Sequence, residues 1–249
     1  MIKIARIPKP ISMTDELEIA LTAEFVIDNN KRVWDRQDIK DTLLEMSHSK
    51  CAYCECYIVE ESKYMEVEHF YGKSSYPHLV IKWDNLLPSC KRCNVSKGTH
   101  NVVTEGMIVD PTINNPQDYF VLSPNYRMKK KCATGETTID ALDLNNIDMI
   151  VSCRFEVGQS IAATLEDILQ ITQEYDPNIS TMRQKNRIVR GVRKILSEAA
   201  PHKEYSATAA TEILRSEEFS SIKKILIGFG LWSDDLKEME ETAKKVALV

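Results

Sequence analysis

No apolar run among the 249 residues approaches the roughly 20 consecutive apolar positions that cross a bilayer, so no membrane partner is expected. The N-terminal stretch MIKIARIPKPISMTDELEIA lacks the apolar core and small-residue cleavage site of a secretory leader. We therefore expect a cytoplasmic protein whose cysteines are thiols or metal ligands, not disulfides. Internal repeats and low-complexity linkers are also missing. So is any cationic excess: 32 Lys and Arg stand against 37 Asp and Glu, and the net charge of -5 excludes indiscriminate nucleic-acid binding by the whole surface. One stretch instead lacks acid. Residues 181 to 194, TMRQKNRIVRGVRK, carry Arg183, Lys185, Arg187, Arg190, Arg193 and Lys194. They read either as a contact surface for nucleic acid or a partner, or as a solvated helix face opposite Ile188, Val192 and Ile195.

Hydrophobic residues are 43% and charged residues 28%, a globular composition with enough chain to bury a core. Residues 12 to 48 have helical periodicity, with Thr14 as an N-cap before Leu17 and Leu21, then Ile39, Leu43 and Met46 on one face. Residues 49 to 104 are rich in Cys, His, Tyr, Asn and Pro and hold no sustained helical period. MIVDP, DYFVLS and YRMKKK, between 107 and 131, suggest strands, with a turn at Pro124-Asn125. From Leu142 the pattern is helical to the end, broken near Pro177 and Pro201. The expected fold is α+β and mainly helical: a helical segment over 1–48, a metal-centred module with following strands over 49–131, and a helical region over 132–249.

Seven cysteines are present. CAYC places Cys51 and Cys54, and CKRC places Cys90 and Cys93, leaving Cys56, Cys132 and Cys153. Two residues between thiols is the spacing at which a tight turn brings both sulfurs to one ion, and two such knuckles complete a tetrahedral four-thiolate zinc site. The alternatives are four ordinary buried cysteines, or a redox pair, which would need only one C-x-x-C near a βαβ pattern that is absent here. Zinc held by four thiolates has no open position, so its expected role is structural. Cys56 is expected to pack and not to ligate, and Trp83 to anchor the core.

Within and after this frame stand VEHF, WDNLL and CNVSKG. Together, CAYC…VEHFYGKSSYP…WDNLLPSCKRCNVSKG, about residues 50 to 98, resembles the HNH endonuclease motif in its zinc-bearing form. The resemblance implies a ββα-metal hairpin and helix that binds one Mg²⁺ or Mn²⁺ and hydrolyses phosphodiester bonds. On it, His69 is the general base for the attacking water and Glu68 a ligand of the catalytic ion. Asn85 holds the hairpin and orients the base, with turn capping as a purely structural alternative. Asn94 stands where the motif's third letter would be His and is the second metal ligand. Lys97, with Lys73 of YGKS, is placed as a substrate contact. The residue types suit this chemistry, since imidazole titrates near pH ~6.5 and accepts a proton at neutral pH, while carboxylate and amide oxygens are hard ligands. Adjacent residues on a regular strand face opposite sides, so Glu68 and His69 share a site only if the strand ends or twists there. His78 is expected in a loop. His100 is a late candidate ligand or base.

The same segments, with ETTIDALDLNNIDMIVSCRFEV further on, resemble in particular the HNH proteins of the Septu antiphage system and related retron-associated HNH proteins, over roughly residues 1 to 175. Gly72, in YGKS, departs from the YPKS expected there. This likeness implies a DNA-cutting effector of bacterial defence beside an AAA/ABC-type ATPase subunit (PtuA-like), with a retron RNA–DNA complex as a further partner. Two other functions stay open: a nuclease of the same chemistry acting on RNA such as tRNA, and a zinc-stapled adaptor with an idle site.

Overall fold

The computed structural model describes residues 1–59 and 64–249. It is mainly helical, with two small two-stranded sheets. The chain forms two compact units, one from Met1–Phe120 and Lys129–Asn145, the other from Val121–Met128 and Asn146–Val249.

The first unit opens with an extended arm and two helices, α1 (Asp15–Ile27) and α2 (Gln37–Ser47). Thr14 caps α1, its hydroxyl accepting from Leu17 N at 3.2 Å, and Asp15, Glu16 and Glu18 in the first turn complement the helix dipole. The buried face of α1 differs from the one expected. Leu17 and Leu21 are only half-buried, while Glu18 and Phe25 are buried. Glu18 tolerates burial because Lys9 (2.9 Å) and Lys82 (2.8 Å) pair with its two oxygens. In α2 the periodic residues Ile39, Leu43 and Met46 are buried as their spacing requires.

Two strands, β1 (Met65–His69) and β2 (Leu86–Cys90), pair antiparallel, with Val67 opposite Pro88 and His69 opposite Leu86. Pro88 has no N–H for the ladder, and its carbonyl accepts from Ala52 N at 2.9 Å, tying the first cysteine knuckle to β2. A short helix, α3 (Lys91–Lys97), follows directly and packs on both strands. Gly98 ends it at φ 51°, a left-handed position that favours glycine. The arm is stitched to the start of β2: Arg6 donates to the carbonyls of Trp83 (2.9 Å) and Leu86 (2.8 Å), and Trp83 Nε1 donates to Ile7 O at 2.8 Å. Trp83 is therefore a buried anchor.

MIVDP does not become a strand. Side chains take its backbone donors instead: Thr138 Oγ1 accepts from Val109 N (2.8 Å), and Asn114 Oδ1 accepts from Asp110 N (3.0 Å). The other two expected strands form, as β3 (Phe120–Leu122) and β4 (Met128–Lys130). Helix α4 (Ala133–Ala141) begins ahead of Leu142, where the helical periodicity of the sequence starts. Its sequence ATGETTIDA has little apolar pattern, and Gly135 is required by close approach, since a Cβ there would lie 2.4 Å from Tyr119 O.

In the second unit a π-helical turn at Ile147–Val151 runs into α5 (Ser152–Gln173), followed by α6 (Met182–Glu198), α7 (Ser206–Arg215), α8 (Glu217–Gly228) and α9 (Asp234–Val246). The breaks fall near Pro177 and Pro201 as expected. α5 packs on α6, α7 and α8, and α9 packs on α6 and α7. α6 has a full capping box between Thr181 and Gln184 and buries Ile188, Val192, Ile195 and Leu196. Among the described residues no helix is long and apolar enough to cross a membrane.

Candidate metal centre and adjoining cleft

The two C-x-x-C turns converge. Cys51 and Cys54 lie on the turn before β1; Cys90 ends β2 and caps α3, its sulfur accepting from Cys93 N at 3.4 Å. The four sulfurs lie within 4.8 Å of one another, an arrangement that can hold a metal ion. Burial opposes charge on Cys51, but the surrounding thiols of Cys54, Cys56, Cys90 and Cys93 outweigh it and pull Cys51 well below the ordinary thiol range. That charge in turn holds Cys54 and Cys93 above it. A bare cluster thus shares too little positive charge among too many sulfurs, and a thiophilic cation such as zinc removes the conflict. Arg92 partly fills this role. Its Nη2 lies 3.0 Å from Cys93 Sγ, and although burial opposes its charge, the sulfur groups of Cys93, Cys54 and Cys90 hold Arg92 above its usual value.

Beside this cluster a cleft of about 590 Å³ is lined by Glu68, His69, Lys73, Asn94 and Lys97 of the expected site. Four consecutive residues of β1, Glu66 to His69, border it, so Glu68 and His69 share the cleft although neighbours on a strand face opposite sides. His69 is buried, with Nε2 2.9 Å from Val80 O. A carbonyl can only accept, so Nε2 carries the hydrogen and Nδ1 keeps the lone pair. Burial lowers His69 from 6.5 to about 3, with Lys73 and Lys97 acting in the same direction against the Val80 contact, so the ring is neutral at working pH. Burial pushes Glu68 above its usual range, opposed by Lys97 and Lys73. The Lys97 ammonium pairs with Glu68 Oε1 at 2.5 Å, and no other donor among the described residues reaches that buried oxygen. A carboxylate oxygen so placed is also a hard ligand suited to a hard cation.

Lys97 also donates to His69 O at 2.7 Å and is buried, so its charge is committed to holding the end of β1. Lys73 stands with its ammonium over the Trp34 ring, 5.0 Å from the centroid. Asn85 does not line the cleft. Its Oδ1 accepts from Tyr71 N (2.7 Å) and its Nδ2 donates to Tyr71 O (3.1 Å) and Leu79 O (3.0 Å), clamping the loop between the strands. His100 Nε2 lies 2.8 Å from Gly106 O, closing its own loop, and His78 sits in a single 3-10 turn against Tyr76. Gly72 lies on the cleft rim. A Cβ added there would meet nothing within 4 Å, and its φ is not left-handed, so the backbone does not demand glycine.

No known family profile matches the chain. A Septu protein PtuB of Bacillus thuringiensis is 43% identical over 250 residues, covering all of this chain and 96% of that protein. The chain belongs to the Septu PtuB family. A second Septu protein PtuB, of Bacillus mycoides (strain KBAB4), is 33% identical over 120 residues, 39% of this chain and 40% of that protein.

Sequence reading missed part of this family member's cleft. Trp34 meets His69 edge to face, with centroids 4.9 Å apart at 88°, and Asn29 and Arg32 of the same α1–α2 loop add to the lining. Nothing local in NNKRVWD marks these residues; they reach the cleft only through tertiary packing. Arg92, in CKRC, was legible in principle as the one arginine between two cysteines of the cluster.

Proposed function

We propose that this chain is a metal-dependent HNH endonuclease that hydrolyses DNA phosphodiester bonds, as the nuclease subunit of a Septu-type antiphage system working with an ATPase partner. The observation that carries the reading is the convergence of Glu68, His69 and Asn94 on one cleft beside a four-cysteine cluster, in the order and spacing of the HNH motif. The relative's name, Septu protein PtuB, supports the defence setting. Cys51, Cys54, Cys90 and Cys93 would hold zinc as a frame.

Glu68 and Asn94 would hold Mg²⁺ or Mn²⁺, which when bound supplies charge stabilisation at the phosphate and leaving oxygen. His69 would take a proton from water at Nδ1, its Nε2–H being anchored on Val80 O, with the negative charge of a bound phosphate offsetting the burial that holds the ring neutral in the free chain. Trp34 walls off the ring and fixes its plane. Lys97 holds Glu68 and the His69 backbone in register. Lys73 and Arg32 at the cleft offer positive charge to a phosphate backbone.

The test is nicking of supercoiled plasmid by the purified chain, with and without its ATPase partner, in Mg²⁺ or chelator, and with tRNA offered in parallel. His69→Ala should abolish metal-dependent cleavage, a loss of about 10² to 10⁴-fold, while keeping the metal cluster and partner binding. Wild-type protein that is inactive under every condition points to an adaptor, and cleavage of tRNA alone moves the substrate to RNA.

A further inference from the structure

A buried lysine sets the charge balance of the cleft. Asn94 and Lys97 stand three residues apart on α3, and both line it. The Lys97 side chain is 2% exposed and that of Glu68 5%, and their ammonium and carboxylate pair at 2.5 Å. Lys97 also donates to His69 O at 2.7 Å, so one ammonium bridges two consecutive residues of β1. Around this pair the charged lining is already even. Among the described residues Lys73 and Glu66 complete it, together with Arg32, which is paired with Asp35 at 3.3 Å.

Glu68 and Asn94, holding a divalent ion, would gather two positive charges at a carboxylate whose own charge a buried ammonium already meets. Asn94 offers an amide oxygen and no charge to offset them. Like charges in a buried place are little screened, so their repulsion weakens the hold on the ion. The negative charge that restores the balance comes with the substrate, as the phosphate backbone of a nucleic acid. We infer that Lys97 is the resident counter-cation of Glu68 and makes retention of the divalent ion conditional on phosphate backbone entering the cleft. The inference rests on the metal site proposed above at Glu68 and Asn94.

Lys97 is also a staple between α3 and the end of β1, and the two roles predict opposite signs. If Lys97 only held Glu68 in place, a neutral side chain there would loosen the ligands and weaken metal binding. As a competing charge, its removal relieves repulsion and tightens metal binding in the free chain. The coupling to substrate is reciprocal: backbone phosphate strengthens the hold on the ion, and the ion strengthens the hold on the nucleic acid by the same factor. A chain without substrate then keeps little of the ion at Glu68, and His69 waits beside an incomplete site.

The experiment uses the full-length chain, loaded with zinc so that the cysteines are occupied and carrying His69→Ala so that nothing is cut. Bound Mn²⁺ is read from the loss of the free-ion paramagnetic resonance signal, with and without a short DNA duplex, and the duplex alone is subtracted. Duplex should raise Mn²⁺ affinity roughly tenfold, and Mn²⁺ should raise duplex affinity, read by fluorescence anisotropy, by the same factor. Adding Lys97→Met should tighten Mn²⁺ roughly tenfold without DNA and leave little further gain when DNA is added. Lys97→Gln, which keeps a donor for His69 O, is the second variant should methionine disturb the fold. Equal Mn²⁺ affinity of the parent chain with and without duplex would overturn the inference. So would neutral variants that bind Mn²⁺ no more tightly than the parent, by making Lys97 a staple alone. A Glu68→Gln control that binds Mn²⁺ as well as the parent under both conditions refutes the metal site itself, and that control separates this failure from the others.

Discussion

Replacing Asn85 with alanine should cost stability before it costs chemistry. Asn85 is buried, and all three of its side-chain hydrogen bonds go to backbone: Tyr71 N, Tyr71 O and Leu79 O. Alanine removes the acceptor of Tyr71 N–H and the donor to Tyr71 O. Leu79 O is less affected, since it also accepts from Lys82 N at 3.2 Å. Two half-buried groups left unsatisfied at about 1–3 kcal/mol each predict a loss of at most roughly 2–6 kcal/mol. Asn85→Asp should be no better: it keeps the acceptor for Tyr71 N but turns a carboxylate oxygen toward two carbonyls. The assay is urea unfolding in zinc-containing buffer, read by tryptophan fluorescence, alongside plasmid nicking at a denaturant-free temperature well below the transition. A loss under about 0.5 kcal/mol combined with abolished cleavage would refute the reasoning and move Asn85 from the frame into the reaction.

Cys90→Ser should reduce bound zinc and folded yield together, measured by metal analysis of the soluble fraction; a native-like variant with full zinc would remove the four-thiolate assignment. His69 supplies a pH test. Because burial lowers it from 6.5 to about 3, the unfolded chain takes up a proton below 6.5 that the folded chain refuses, so stability present above 6.5 is lost as pH falls toward 3. Between pH 7.5 and 5 wild type should lose about 2 kcal/mol more than His69→Gln in urea titrations, at about 1.4 kcal/mol per pH unit below 6.5; parallel curves would show that the ring is not buried neutral. On α6, Arg183, Arg187, Arg190 and Lys194 are exposed and no carboxylate pairs with them among the described residues, whereas Arg193 is bound to Asp235 at 2.6 Å. Reversing Arg183, Arg187 and Arg190 to Glu should weaken DNA binding and flatten its logarithmic salt dependence by about 0.9 per lost contact, while Arg193→Glu should mainly loosen α6 from α9; an unchanged slope would make the face solvated surface.

What was legible in the sequence was local. The two cysteine turns are set by spacing alone, and α2 and α6 announce themselves because their apolar residues recur at helical intervals beside charged ones. Glu68 and His69 could be named as neighbours, but that both border one cleft is a fact of tertiary packing around β1. Partnerships across the chain were invisible. Lys97 looks like a free cation in CNVSK and is instead bound to Glu68 and His69 O, and Glu18 looks like a surface carboxylate until Lys9 and Lys82 close on it. MIVDP has strand composition, yet Asn114 and Thr138 claim its backbone first. The start of α4 is hidden because threonines and a glycine blur the period that burial of Thr138 later justifies.

The interleaving of the two units bears on how the protein is made. Every cysteine of the cluster has been added to the chain by residue 93, but the unit that holds them is completed only by Lys129–Asn145, after a segment that belongs to the other unit. Val109 must wait for Thr138, and Arg92, the cation at the thiolates, receives its second anchor, Asp143 O at 3.2 Å, later still. During synthesis the cysteine turns are therefore exposed to solution metal in an unfinished setting. A chain stopped before residue 138 would keep all four thiols and still lack the carbonyl that anchors Arg92 beside them.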